Sequence, residues 1–423
     1  MPRQTTALGI YQHYLDNYAE AESQYALENI NVITFDHIVA VPAYNEDIAF
    51  LKRLKVHCEN ETKVLVILII NEPDDPETKQ VAQCQLNSEL FDYGLNSGKL
   101  HWQNKNLSHI RWKNNCHLIL IDRFSEERKI PYKQGVGLAR KIACDVGVAL
   151  IAKNNSQQSK RTIVIHSTDA DAALPADYFK RTLDVESHSA ATFPFVHRGE
   201  CDEITAATYL YEQSLHYYVN GLRWAGSPYA FHTIGSCLAF SATHYCQVRG
   251  FPKRSGGEDF YLLNKLAKLA PIKLLDGEAI ILASRNSNRV PFGTGPAVDK
   301  ILKLKRQSEF QSYDPIVFKE LATLLKQFKQ YWNLRKSPSH WLAQLTLPSR
   351  NTLSNLGIHR LFEHIDNNVT SESHCRQQIQ FWFDGFRTLK YIHELQNNFY
   401  PSITLNEALR RARFLLEDGE NEA

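Results

Sequence analysis

Short runs of aliphatic and β-branched residues, separated by segments with helical spacing, place the strongest constraint on how this chain folds. Four such runs cover residues 35–41, 63–70, 117–121 and 161–166. Strands without polar alternation lie inside parallel sheets, where helices cover both faces. We therefore predict the α/β fold class, with a mostly parallel sheet and helices at 51–57, around 81–86 and at 135–152. Pro42 is expected to end the first strand, and the polar segment 96–115 is expected to be a loop.

The alternation of strand and helix is confined to the middle of the chain, which predicts three regions. Residues 1–31 are predicted to form a helical extension, residues 32–298 the α/β domain and residues 299–423 a C-terminal helical subdomain. In the extension, tyrosines recur at helical intervals, which predicts an aromatic stripe packed on the main domain or on a second copy in a homodimer. These tyrosines are Tyr11, Tyr14, Tyr18 and Tyr25.

Helix signals define the C-terminal subdomain. Asp314 followed by Pro315 is typical of a helix start, and Thr404 with Glu407 forms a capping box for a last helix that reaches Leu416. The apolar stripe after Pro315 is expected to pack on protein, although its basic neighbours leave open a peripheral membrane contact. The stripe contains Val317, Leu321, Leu324, Leu325, Phe328 and Trp332, and the basic neighbours are Lys319, Lys326, Lys329 and Arg335.

Composition excludes several classes of protein. Lysine and arginine total 48 against 46 for aspartate and glutamate, so the net charge of +2 gives no reason to expect a nucleic-acid partner. The eight cysteines form no Cys-x-x-Cys pair and no zinc spacing, which is typical of reduced thiols in the core of a cytoplasmic protein. The longest aliphatic run, residues 64–70, is far shorter than the ~20 residues of a transmembrane helix. We therefore expect a soluble, cytoplasmic protein.

Acidic residues follow three of the predicted strands. Glu46 lies beyond the first strand, Glu72 beyond the second, and Asp169 and Asp171 beyond the fourth. In open α/β sheets, ligands bind beyond the carboxyl ends of the strands, so these side chains are expected to converge. Two carboxylates one residue apart can hold a hard divalent cation and leave coordination positions for phosphate oxygens. The sequence therefore predicts that a metal ion and a diphosphate bind at this edge of the sheet.

A second acidic pair, Glu258 and Asp259, follows two glycines and begins a helix-like segment. A carboxylate in this position can act as a general base. The alternative is structural, because acidic side chains in the first turn of a helix are stabilised by the helix dipole. The sequence leaves both interpretations open.

In their order along the chain, these motifs resemble those of the family-2 glycosyltransferases, which have the GT-A (Rossmann-like) fold. The resemblance spans about residues 36–295. It departs from the family where Asn71-Glu72 replaces two aspartates and where Arg249 replaces the first glycine of Gly-Gly-Phe, and no Gln-x-x-Arg-Trp of the processive synthases follows. The matching motifs are Val-Pro-Ala-Tyr-Asn-Glu at 41–46, Ala-Arg at 139–140, Asp-Ala-Asp at 169–171, Gly-Phe-Pro at 250–252 and Gly-Glu-Asp at 257–259.

The resemblance implies a site for a nucleotide diphosphate sugar, UDP- or GDP-linked, and for an acceptor hydroxyl. Asp171, together with Asp169, would bind Mn²⁺ or Mg²⁺, and Asp259 would be the base, with Glu258 orienting the base or the acceptor. A histidine, which is a third metal ligand in many relatives, does not occur between residues 282 and 300. The predicted contacts to the nucleotide sugar are Pro42, Ala43, Tyr44, Glu46, Glu72, Lys133, Arg140, Asp169, Arg285 and Arg289.

Together these predictions describe a metal-dependent, non-processive hexosyltransferase, and the acidic pair favours inversion of configuration. Two alternatives remain. One is a retaining transferase of the same fold that acts on a small anionic acceptor such as a glycerate. The other is a sugar-nucleotide-binding protein without turnover, against which the presence of Asp169, Asp171 and Asp259 argues.

Overall fold

The computed structural model describes residues 6–31, 33–61, 63–75, 81–155, 163–181, 183–200, 202–285 and 293–412. The chain divides into two compact units. The first comprises Met1–Glu200 and Thr233–Pro296, and the second comprises Cys201–His232 and Ala297–Ala423. The N-terminal extension therefore belongs to the α/β unit. Residues 201–232, predicted to lie in the α/β domain, belong to the helical unit instead.

Helices and strands alternate along the first unit, and helices dominate the second. The α-helices are α1 (Ala7–Asn17), α2 (Ala21–Asn29), α3 (Ile48–Glu59), α4 (Val81–Asn96), α5 (Gly135–Asn155), α6 (Glu203–Trp224), α7 (Ala242–Gln247), α8 (Glu258–Leu266), α9 (Thr294–Leu302), α10 (Ile316–Leu334), α11 (Pro338–Ala343), α12 (Leu347–Asn355), α13 (Ile358–Asn368), α14 (Glu372–Trp382), α15 (Gly385–Asn398) and α16 (Leu405–Arg411). Turns of 3₁₀ helix lie at Glu126–Arg128, Tyr178–Lys180 and Gln307–Glu309. The strands are β1 (His37–Ala43), β2 (Val64–Asn71), β3 (Pro73–Asp74), β4 (Lys99–Asn104), β5 (Leu107–Arg111), β6 (His117–Arg123), β7 (Ile130–Pro131), β8 (Val164–Ser167), β9 (Ala172–Ala173), β10 (Ala190–Thr192), β11 (Phe195–Arg198), β12 (Leu238–Ser241), β13 (Ile272–Leu274), β14 (Ile280–Ala283), β15 (Gln311–Ser312) and β16 (Ile403–Thr404).

One large sheet organises the α/β unit. Among the described residues it has nine strands in the order β13-β10-β12-β8-β1-β2-β6-β5-β4. The central strands β8, β1, β2 and β6 are parallel, and antiparallel strands extend the sheet on both sides. Every residue of β2 is buried, and α5 packs on β1 and β2, as expected for parallel strands covered by helices. The predicted α/β class with a parallel sheet centre is confirmed.

Two local predictions were wrong. Pro42 does not end the first strand, because β1 continues to Ala43 with Pro42 opposite Ile69 of β2. The pairing of β1 with β8 ends at Ala40, so a residue without an N–H is tolerated two positions later. The segment 96–115 is not a loop, because β4 and β5 form an antiparallel hairpin at the sheet edge. The residues of β4 are mostly exposed, and their polar character concealed the strand.

The core of the helical unit explains why α6 belongs with the tail. Four residues of the predicted stripe of α10 are buried there, namely Val317, Leu321, Leu324 and Phe328, and Leu325 and Trp332 are partly buried against the same core. Tyr217 and Leu222 of α6 lie in the same core. The ring of Phe318 would be 2.6 Å from a Cβ at Gly221, so α6 and α10 approach each other closely at this glycine.

The two predicted helix starts of the tail are confirmed. Asp314 Oδ1 accepts the N–H of Ile316 at 3.0 Å, and Thr404 Oγ1 accepts the N–H of Glu407 at 3.3 Å. Helix α16 ends at Arg411, and the predicted end at Leu416 lies outside the described residues.

Two further sequence inferences concern the cysteines and the membrane. The cysteines whose side chains are described have buried, free thiols, as predicted for core residues: Cys58, Cys116, Cys144, Cys237, Cys246 and Cys375. In the described part of the chain, no helix combines the length and apolar character needed to cross a bilayer.

Candidate active site

Three parallel strands present their carboxyl ends at one edge of the sheet. Strand β1 lies between β8 and β2, and Glu46, Asp169 and Glu72 follow these three strands. The N–H of Thr168 still bonds the carbonyl of Ala40 at 3.1 Å, after which the chain turns away from β1. The side chain of Asp169 remains 32% exposed, so a ligand can reach the end of β8.

The guanidinium of Arg140 connects the two acidic motifs. Arg140 lies on α5 and is buried. Its Nε donates to Glu258 Oε1 at 3.0 Å and its Nη2 donates to Asp169 Oδ1 at 2.6 Å. Burial alone lowers the pKa of Arg140, but the charges of Asp169, Glu258 and Asp259 outweigh burial and hold that pKa above its ordinary value. Arg140 therefore remains charged and fixes the distance between the two motifs.

A second guanidinium, that of Arg285, joins the loops that follow β1 and β8. Its Nη2 lies 2.9 Å from Glu46 Oε1 and 2.7 Å from Asp171 Oδ2. The topology produces this contact, because β9 follows Asp171 directly and pairs with β14, with Leu282 opposite Ala172. Burial lowers the pKa of Arg285, but the charges of Asp171 and Glu46 outweigh burial and raise that pKa.

Glu258 and Asp259 form the first turn of α8. Gly257 precedes them in the left-handed conformation (φ 71), which favours glycine. Glu258 is buried against Arg140, whereas Asp259 is half-buried and its Oδ1 accepts the N–H of Phe260 at 2.7 Å. Burial and the charge of Glu258 raise the pKa of Asp259 to about 7. A carboxyl group with this pKa exchanges protons readily at neutral pH.

Glu72 is held by an amide and an amine. Its Oε1 lies 3.1 Å from Lys129 Nζ, and Asn87 Nδ2 donates to its Oε2 at 3.2 Å. Asn87 Oδ1 also accepts the N–H of Asn45, a residue in the left-handed conformation (φ 55). Asn87 therefore links Glu72 to the loop that follows β1, and the predicted nucleotide-binding residues of β1 and β2 are neighbours.

The remaining predicted contacts differ in their placement. Pro42 and Ala43 are buried within β1, and Tyr44 is half-buried just beyond it. Lys133 is exposed in the turn before α5. Arg289 lies outside the described residues.

Asp169 and Asp171 suit a hard divalent cation, because Mg²⁺ and Mn²⁺ prefer oxygen ligands. Both side chains are partly exposed, and each is also in contact with an arginine. Within the described residues, no group of three His, Cys, Asp or Glu side chains is arranged to hold a metal ion. Asp169 and Asp171 would supply two oxygen ligands to such a cation, and phosphate oxygens and water would have to supply the others.

Four residues that hold Arg140 or Glu72 in place were not predicted from the sequence. Ser167 Oγ accepts from Arg140 Nη1 and donates to the carbonyl of Gly235, both at 2.9 Å. A Cβ at Gly235 would lie 2.5 Å from Arg140 Nη2, so glycine leaves room for the guanidinium. Asn87 and Lys129 hold the acid that follows β2. Of these four, only Ser167 had a usable signal, which is its position at the end of a buried strand. Gly235, Asn87 and Lys129 lie in segments without a motif.

No protein-family model matches the sequence, and no curated protein matches it significantly. A functional assignment therefore depends on the geometry of the site.

Proposed function

We propose that this chain is a metal-dependent, non-processive glycosyltransferase with the GT-A fold, which moves a hexose from a nucleotide diphosphate sugar to an acceptor hydroxyl with inversion. One observation carries the proposal. Arg140 contacts Asp169 at 2.6 Å and Glu258, the neighbour of Asp259, at 3.0 Å. One guanidinium therefore joins the strand-end acids to the helix-start acids, and this supports donor binding and base chemistry in one site.

The nucleotide would lie beyond the carboxyl ends of β1 and β2. Glu72 and Glu46 supply carboxylate oxygens there, which can accept hydrogen bonds from a nucleobase or a ribose. Tyr44 lies two residues before Glu46 and supplies an aromatic side chain. Asn71-Glu72 in place of two aspartates leaves both UDP- and GDP-linked donors as candidates.

The diphosphate would lie near the ends of β8 and β14. Asp171 and Asp169 would hold Mn²⁺ or Mg²⁺, which when bound stabilises the negative charge of the departing diphosphate. Arg140 and Arg285 contribute positive charge from the protein at the same place.

Asp259 would accept the proton of the acceptor hydroxyl as that oxygen attacks the anomeric carbon. The new glycosidic bond forms on one face of the sugar. On the other face, the bond from the anomeric carbon to the phosphate oxygen breaks, and its electron pair leaves with the nucleoside diphosphate. A base with a pKa of about 7 is matched to this step at neutral pH. Arg140 holds Glu258 and thereby keeps the acidic pair at the site.

The test separates donor binding from proton transfer. Asp259→Asn keeps the side-chain shape and an oxygen for the N–H of Phe260 but removes the base. We expect the affinity for UDP- or GDP-sugar with Mn²⁺, measured by calorimetry, to stay within about threefold. Release of nucleoside diphosphate should fall ~10²-fold or more. Asp276→Asn, which changes an exposed acid of the same unit, is the matched control. Near wild-type turnover in Asp259→Asn would refute the assignment of the base.

A further inference from the structure

We propose that the N-terminal extension positions the acidic pair. Tyr11, Tyr14, Tyr18 and Glu20, called here the N-terminal clamp, would hold α5 and the segment 243–253 so that Arg140 meets Glu258. The inference rests on the function proposed above, since it concerns the same base. The clamp belongs to the same compact unit as the site.

A buried carboxylate anchors the N-terminal clamp to α5. Asp145 is fully buried and accepts hydrogen bonds from Tyr14 Oη at 2.6 Å and from the N–H of Glu20 at 2.8 Å. Tyr245 Oη at 3.0 Å and Lys141 Nζ at 2.9 Å complete the set, and Lys141 Nζ also donates to Tyr14 Oη at 2.7 Å. An unpaired carboxylate at this depth would be costly, so the network resists being opened. Its lysine is the residue next to Arg140 along α5.

The N-terminal clamp also holds the segment that leads to the acidic pair. Gly250 has φ 69, and a Cβ there would lie 2.4 Å from Tyr14 Oη, so the backbone approaches the tyrosine more closely than any side chain would allow. Three further contacts are Tyr11 Oη with Thr243 Oγ1 at 2.9 Å, the Arg249 guanidinium over the Tyr18 ring at 4.7 Å, and Lys253 Nζ with Glu20 Oε1 at 2.8 Å.

The held segment continues into residues that pack on the start of α5. The N–H of Gly137 donates to the carbonyl of Arg254 at 2.9 Å. A Cβ at Gly137 would lie 2.5 Å from the Pro252 carbonyl oxygen, and one at Gly135 would lie 2.7 Å from Ser255 Cα. These contacts leave no room for adjustment, so a shift of residues 252–255 would move Glu258 relative to Arg140.

The N-terminal clamp therefore acts through other residues. Its side chains contact Asp145, Lys141 and the segment 243–253, and their effect reaches the base through the contact between Arg140 and Glu258. If that contact loosens, the charge of Glu258 is less well neutralised and Asp259 ionises less readily. The pH at which the base becomes active should then rise.

The experiment compares two identical changes in the N-terminal extension. Tyr14→Phe removes the hydroxyl at the centre of the clamp, whereas Tyr25→Phe alters a ring that lies beneath Lys105 Nζ at 3.5 Å. Nucleoside diphosphate release from the donor that the wild type uses is measured as a function of pH. In Tyr14→Phe we expect kcat to fall about tenfold and the Kd for the donor to stay within about threefold of the wild-type value. The acid limb of the pH–rate profile, where Asp259 becomes protonated, should shift to higher pH. Tyr25→Phe should change none of these quantities.

A second pair of variants tests the clamp with less risk to folding. Lys253→Glu places two negative charges next to each other at Glu20 and should produce a smaller shift of the acid limb. The double variant with Glu20→Lys restores opposite charges and should reverse that shift. A Tyr14→Phe protein with a lower melting temperature but unchanged kcat and acid limb would overturn the positioning role.

Hydrogen exchange provides a measurement that does not depend on sugar transfer. Peptides that cover residues 249–263 should lose protection in Tyr14→Phe and keep it in Tyr25→Phe. Unchanged protection in both variants would refute the clamp. If the wild type transfers no sugar, the proposed function fails, while exchange still decides whether the extension holds this segment.

Discussion

Replacing Asp259 with asparagine also tests whether the fold holds this carboxylate at a cost to stability. Burial and the charge of Glu258 raise the pKa of Asp259 from 3.8 to about 7. At ~1.4 kcal/mol for each pH unit, ionising Asp259 costs about 4 kcal/mol more in the folded protein than in the unfolded chain. Because Asp259 is only half-buried, water screens part of this cost. We therefore expect Asp259→Asn to raise the free energy of unfolding by about 1–2 kcal/mol.

The sign of the effect follows from proton binding. Because the pKa of Asp259 is higher in the folded protein, the stability that this group contributes is complete below about pH 4 and is lost as pH rises through about 7. Asparagine carries no charge and retains an oxygen for the N–H of Phe260. Asp259→Asn should therefore equal the wild type in free energy of unfolding near pH 4 and exceed it above pH 7.

Urea unfolding at several pH values measures this difference, with Asp276→Asn as the control for removing an exposed acid of the same unit. Equal destabilisation by Asp259→Asn at acidic and alkaline pH would refute the reasoning. In that case the carboxylate stabilises the first turn of α8 through the helix dipole, and the structural interpretation of the acidic pair holds.

Three further changes test separate parts of the molecule. Arg140→Lys keeps the positive charge but cannot contact Asp169 and Glu258 at the same time. The free energy of unfolding, measured in urea, should therefore fall by about 2–4 kcal/mol. Glu72→Gln leaves Lys129 without this carboxylate partner. The affinity for UDP or GDP, measured by calorimetry, should fall about threefold to tenfold, and an unchanged affinity would count against a nucleotide-binding role for Glu72. Removing residues 299–423 should give insoluble protein, because the buried face of α6 loses its core; a soluble, active fragment that no longer binds liposomes would favour the membrane interpretation.

The centre of the sheet could be predicted because its strands leave little choice. Residues buried on both faces of β2 must be apolar, and no surface helix has such a run. The edge hairpin could not be predicted, since β4 is exposed and its sequence is as polar as that of a loop. The assignment of α6 was missed for a different reason. Its packing partner, Phe318, lies about a hundred residues away, and no local pattern records a contact of that range.

The acidic residues of the site could be predicted from their positions at strand and helix ends. The residues that hold them could not. Ser167, Asn87 and Lys129 are ordinary polar residues until the fold brings them to Arg140 and Glu72. The tyrosine stripe of the extension was expected to pack, but its hydrogen bond to a buried aspartate depends on tertiary structure alone.

The charge balance of the site makes a divalent cation the next component to test. Among the described residues of the site, five carboxylates face two guanidiniums, which leaves an excess of three negative charges when Asp259 is ionised. The groups are Glu46, Asp169, Asp171, Glu258 and Asp259 with Arg140 and Arg285. A diphosphate carries further negative charge and would be repelled unless a cation enters with it.

We therefore expect calorimetry to show that the affinity for UDP or GDP falls about tenfold or more when EDTA removes the metal, or in Asp171→Asn. Without metal, affinity should recover partly as the pH is lowered from about 8 to about 6, because protonation of Asp259 removes one negative charge. With Mn²⁺ present, the same change of pH should have a smaller effect, since the cation already offsets the repulsion. Equal affinity with and without metal at both pH values would refute the metal assignment and leave Arg140 and Arg285 to neutralise the diphosphate.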